Sequence, residues 1–160
     1  MSGWENFFVA EVGASAALAG LLFVGVSINL SKIITIPGLP SRAFEGLAVL
    51  LAVLVVSSLL LVPGQPLQLV SAEVLLVGLT IWTTVVALQV NHLRKLEPQL
   101  RQKFVMRVIL GQMAALPFVI AGITMLVGGG GGLYWLVPAV IFSFLVSLLD
   151  AWVLLVEINR

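Results

Sequence analysis

Five apolar stretches follow one another along this chain, separated by short breaks that are polar or carry proline or glycine. Each is long enough, at ~1.5 Å per residue, to cross a hydrocarbon core of ~30 Å. Inside lipid a backbone must satisfy its own polar groups, so stretches of this kind fold as helices. The spans expected are about 7–30, 42–62, 71–91, 104–127 and 136–157. They make one all-α integral membrane domain over residues 1–160. The composition leaves little alternative. Apolar residues are 61% of the chain, charged residues 9%, and mean hydropathy is +1.19. A soluble domain carries about 25% charged residues, and a chain of this size has too much surface to hide so many apolar side chains from water.

The breaks set the expected boundaries. Thr35-Ile-Pro-Gly-Leu-Pro40 removes two backbone donors after the first span, and Ser41 is a suitable N-cap for the second. Pro63-Gly-Gln-Pro66 closes the second span, and Ser71 reads as the cap of the third. His92 to Lys103 is a polar connector, and Pro117 predicts a kink in the fourth span. The glycine run Gly128–Gly132 reads as a short loop, too permissive for helix. Trp4, Tyr134, Trp135 and Trp152 stand at span ends, where amphipathic rings prefer the interface.

Orientation follows from charge. The basic residues are Lys32, Arg42, Arg94, Lys95, Arg101, Lys103, Arg107 and Arg160, and they share one set of connections and ends. The N-terminal segment, the second loop and the glycine loop contain none. An odd number of spans with the N-terminus outside and the C-terminus in the cytoplasm fits this distribution without exception. The N-terminus lacks the basic leader and short apolar core of a cleavable signal. The simplest location is a cell membrane, multi-pass, of the bacterial inner membrane type.

On a helical projection of the first span, Glu11, Ser15, Leu18, Leu22, Gly25 and Asn29 share one stripe. Gly13, Ala16, Ala17, Gly20, Val24 and Ser27 lie opposite, a small-residue surface suited to close helix contact. The first stripe has two readings. In a closed oligomer Glu11, Ser15, Leu18, Leu22 and Asn29 would line a pore, with Glu11 as a cation-attracting ring and the leucines as a dewetting gate. Otherwise Glu11 reaches out to headgroups and Asn29 caps the inner helix end. The third span repeats the spacing with Glu73, Val77, Thr80, Thr84, Ala87 and Asn91, as either a two-helix repeat or coincidence. Thr80 and Thr84 can also serve their own helix carbonyls.

In the fifth span Ser143, Ser147, Asp150, Leu154 and Glu157 form a further stripe. Asp150 is the deepest acid, and an ionised carboxylate there needs a partner. Arg107 enters the fourth span from the same end, and the glycine loop makes these two spans antiparallel neighbours. The pair is either a fixed structural contact or a proton or ion relay.

Other chemistry is thinly represented. The chain has no cysteine and a single histidine, His92, which excludes thiolate chemistry and gives no metal-ligand set. The glycine run lacks the Lys-Ser/Thr ending of a phosphate loop. No Ser-His-Asp set or HExxH is present, so neither an enzyme nor a cofactor is expected, and no nucleic-acid face. Five spans in this length are similar to the translocator proteins, but that family's Trp-Pro and Phe-Gly-Pro-Val-Trp segments are missing, and no site is carried over. The first span's order of acid, apolar middle and inner base is similar to the pore helix of store-operated calcium channels, which runs in the opposite sense in a four-span chain.

The function expected is a homo-oligomeric ion channel or transporter with the first span on or beside the pathway. Its partners would be membrane lipids, copies of itself and inorganic ions. The alternatives are a non-conducting interaction or regulatory subunit, and a membrane protein that binds lipid or a small ligand.

Overall fold

The computed structural model describes residues 3–95, 98–128 and 131–156, with side chains at all of these except 95 and 98–103. Among the described residues six α-helices run α1 (Glu5–Ile28), α2 (Leu30–Thr35), α3 (Leu39–Leu60), α4 (Leu67–Lys95), α5 (Pro98–Leu126) and α6 (Leu136–Leu155). A 3₁₀ turn over Gly132–Trp135 leads into α6. Within them lie five helices long and apolar enough to cross a membrane. The fold is compatible with a multi-pass membrane protein.

Two contacts fix the direction of the first and last long helices. Trp4 stacks edge-on against Tyr134 with ring centroids 5.0 Å apart, and Asn29 Nδ2 donates to the carbonyl of Leu154 at 3.2 Å. α1 and α6 therefore run parallel. Chain order then gathers Lys32, Arg42, Arg94 and Arg107 at one end of the bundle, called here the basic end.

Helix boundaries differ from the sequence expectation in instructive ways. α1 stops at Asn29, whose backbone leaves the helical region (φ −102°, ψ 15°), and the short α2 follows before the proline turn. Ser41 is not the cap of α3. The cap is Gly38, at φ +90°, and Pro40 occupies the first turn, where its missing N–H has no helical partner to lose. A side chain at Gly38 would also strike the imidazole of His92. Ser71 is likewise not a cap: α4 begins one turn earlier, and Ser71 Oγ donates back to the carbonyl of Leu67 at 2.6 Å. α5 continues through Pro117 as one helix. The centre of the His92–Lys103 connector, part of the glycine run, Glu157 and Arg160 lie outside the described residues.

Backbone approach organises the bundle. A Cβ at Gly78 would sit 2.8 Å from the backbone of Phe118, and one at Gly122 2.5 Å from Cα of Leu75. Only glycine at both positions lets α4 and α5 pack this closely, as small residues do in lipid, where association depends on packing. Around this pair α3 and α6 close a core of Val49, Val53, Val56, Val74, Phe118 and Ala139, all buried.

The faces of α1 are the reverse of the seam expected from its small residues. Ser15, Leu22, Gly25 and Asn29 are buried, against α3 and α6. Leu22 approaches Gly46, and Gly25 takes the side chain of Leu155. The small-residue face points outward, and Gly13 and Gly20 have nothing within 4 Å of an added Cβ.

Candidate functional site

The interior of the basic half holds a continuous polar network built from four helices. α3 supplies Arg42 and Glu45, one turn apart; α4 supplies Trp82 and Gln89; α5 supplies Arg107 and Gln112; α6 supplies Asp150. Arg107 is its hub. Its Nη1 donates to Asp150 Oδ1 at 2.6 Å, and its Nη2 donates to Glu45 Oε2 at 2.6 Å and Asp150 Oδ2 at 3.2 Å. Arg42 Nε donates to the same Asp150 Oδ1 at 3.1 Å. From Glu45 the network continues as amides: Gln89 Nε2 donates to Glu45 Oε1 at 3.1 Å, and Gln112 Nε2 to Gln89 Oε1 at 2.9 Å. Trp82 Nε1 ends it, donating to Gln112 Oε1 at 2.9 Å.

Two guanidiniums face two carboxylates, so the centre is neutral while every ion in it is bonded. Neutrality is what makes such burial tolerable, because an isolated ion in a low-dielectric interior costs several kcal/mol even after relaxation. Asp150 is 1% and Glu45 3% exposed. The local backbone is shaped for them. A Cβ at Gly111 would overlap Gln89 Nε2 and come 2.8 Å from Glu45 Oε1, so the α5 glycine makes the space the amide and acid share. Ser147 Oγ donates to the carbonyl of Gly46 at 3.0 Å and ties α6 to α3 beside Asp150.

A cavity of about 80 Å³ opens against this network at the basic end. Its walls include Ser41, Arg42, Glu45, Gln89, His92 and Arg107. Leu88 and Phe104 also line it, so charged and amide groups share the lining with apolar surface, and it is large enough for a small cluster of waters. Along the network the polar groups reach Trp82, midway along α4. Beyond it, towards the other end, the interior is apolar: Val53, Val56, Val74, Phe118, Ala121 and Leu136 are buried, and the buried polar side chains there are serines. Among the described residues the interior is thus polar from one end to its middle and apolar beyond.

The residues singled out from the sequence fall in separate places. Arg107 and Asp150 meet. Glu73 does not join them: it accepts from Gln65 Nε2 at 2.7 Å near the opposite end. Thr80 and Thr84 donate to their own helix carbonyls, of Leu76 at 2.8 Å and Thr80 at 2.7 Å, and both border a groove between α3 and α4. In α1, Ser15 Oγ donates to the carbonyl of Glu11 at 2.6 Å, Leu18 and Leu22 pack in a cluster with Leu50 and Leu154, and Asn29 is buried against α6. Glu11 is half-buried, with one carboxylate oxygen enclosed and unbonded. Ser15, Leu22 and Asn29 are therefore packed inside one chain, where a stripe lining an oligomer axis would face out of it. The equal spacing of the first and third spans does not give equal surroundings, since Thr80 and Asn91 are exposed.

Glu45, Trp82, Gln89 and Gln112 are members that the sequence did not single out, and Arg42 entered there only as a basic residue for orientation. Their signal was available: an acid or amide deep in an apolar span must find a hydrogen-bond partner. Comparison with protein-family models, curated proteins and solved structures finds no match for this chain.

Proposed function

We propose that this chain is a small membrane transport protein, a channel or transporter for a proton or small inorganic cation. Its working centre is the Arg42–Glu45–Gln89–Arg107–Asp150 network. One observation carries the reading: two carboxylates are held inside the spans, beside a cavity at the basic end, on a network that runs to the middle of the bundle. Ionisable groups are costly within a membrane and mark ion and proton paths there. The basic end faces the cytoplasm, by the distribution of lysine and arginine, so the cavity is a cytoplasmic vestibule. The apolar half beyond Trp82 is the gate, and conduction requires α3 or α6 to shift against the glycine-locked α4–α5 pair. This moves the proposed pathway from the first helix to the interior of each chain. The protein acts in the cell membrane, most simply a bacterial inner membrane, as a homo-oligomer joined through the exposed face of α1.

The test is flux into liposomes carrying a pH-sensitive dye, with potassium and sodium gradients imposed in turn. Wild-type protein should collapse at least one gradient. Glu45→Gln should abolish that flux while the protein still elutes as a folded species. Flux no faster than in protein-free liposomes, for all three cations, would remove the transport reading.

A second reading is favoured by a separate observation. The outward α1 face, with Gly13 and Gly20 in open space, suits a non-conducting subunit that docks to another membrane protein. Absent flux together with a stable complex with a partner chain would select it.

A further inference from the structure

Arg42 is only partly used by the network. Its Nε binds Asp150, but among the described residues neither of its Nη nitrogens makes a hydrogen bond, and its side chain is 31% exposed. A guanidinium offers five N–H donors and cannot discharge by deprotonation. Four donors on one arginine therefore remain open. They sit three residues into α3, ~4.5 Å along its axis, at the level where a span meets the headgroup region.

Arg42 and Arg107 line a second opening as well as the first cavity. A cleft of about 220 Å³ lies between α5 and α6, with Arg42, Arg107 and Asp150 at its floor. Its walls are Met106 and Leu110 from α5 and Leu149 from α6. Met106 is 65% and Leu149 51% exposed. Unused guanidinium donors beside an apolar, outward-facing rim suit a molecule that is anionic at one end and hydrocarbon at the other. The acids within reach are already bonded to arginine, so they do not supply the missing acceptor.

We infer that this cleft binds a membrane phospholipid, with its phosphate on the Nη groups of Arg42 and an acyl chain along Met106, Leu110 and Leu149. The site prefers anionic headgroups, because a headgroup amine would bring a further cation to the arginine pair. The inference stands apart from transport. It needs only a folded chain in a bilayer or micelle.

Native mass spectrometry of the purified protein tests it, after exchange into detergent containing equal phosphatidylglycerol and phosphatidylcholine. Retained phosphatidylglycerol should exceed phosphatidylcholine by about fivefold, the weight of one basic side chain against an anionic lipid. Arg42→Gln should bring the ratio towards unity, and Arg94→Gln, exposed at the same end but outside the cleft, should leave it unchanged. Leu149→Trp fills the apolar rim without touching a charge, so it should lower retention of both lipids even if Arg42→Gln fails to fold. Equal retention of the two lipids by wild-type protein would overturn the site. So would loss of preference in Arg94→Gln, or full displacement of phosphatidylglycerol by millimolar inorganic phosphate, which would mark a pocket for a soluble anion.

Discussion

Removing the carboxylate of Asp150 should cost more than removal of one ion pair, and the pattern of its rescue reports the wiring of the centre. Asp150 accepts three hydrogen bonds from two arginines at 1% exposure. In Asp150→Asn one acceptor oxygen survives without its charge, and the new amide N–H₂ faces guanidinium donors. The buried centre gains a net charge of +1. Breaking a buried pair by removing one partner costs about 3–5 kcal/mol, and the three hydrogen bonds to Asp150 place this site in the upper part of that range. If Asp150 paired with Arg107 alone, Arg107→Gln in the same chain would restore most of the loss. It should not do so here, because Arg107 also holds Glu45, which is 3% exposed and would keep only the amide of Gln89. Adding Glu45→Gln removes that orphan charge and leaves only Arg42, which is partly exposed. The expected order of stability is wild type, then the triple variant, then the Asp150→Asn/Arg107→Gln double variant. Equilibrium unfolding in mixed micelles, read by tryptophan fluorescence, gives the free energies for a mutant cycle. A double variant as stable as the triple would refute the shared role of Arg107. A loss under about 1 kcal/mol for Asp150→Asn would refute the buried network itself.

Three further outcomes follow from the packing. Gly111→Ala should destabilise by about 1–3 kcal/mol, since the lost Gln89–Glu45 bond outweighs a helix-propensity gain of up to ~1 kcal/mol; unchanged or raised stability in the same unfolding assay would deny the close approach. Leu22→Ser should lower stability by about 1–3 kcal/mol through lost packing against α3 and α6, without opening a leak in liposomes; a stable, leaky variant would return the first span to the pathway. Gly13→Leu and Gly20→Leu should leave thermal stability near wild type, because open space surrounds both, while shifting the native mass to smaller assemblies. Clear destabilisation with no change in native mass would show that this face is not an oligomer contact.

The sequence alone was enough to expect five long apolar helices and a gathering of basic residues at one end. It was enough because the bilayer sets a minimum length and a composition that each span meets separately. It also pointed to Arg107 and Asp150, since two opposite charges on antiparallel neighbours at one depth have few other partners. What it could not settle is which way a helix turns. In water a buried stripe is apolar and an exposed one polar, but lipid is as apolar as the core, so the contrast disappears. Leu21 and Leu22 are chemically identical and adjacent, yet one is 68% and the other 2% exposed. The same degeneracy hid the direction of the α1 stripe: its small residues were as suitable for a seam inside the chain as for one outside it. Only the tertiary structure decided that Ser15, Leu22 and Asn29 go inward, and that Gly78 and Gly122 rather than Gly13 and Gly20 bring helices into backbone contact within this chain. It alone joined Glu45 to Arg107 and Gln89 to Gln112, because those contacts depend on the rotation of four helices about their own axes, which no single span encodes.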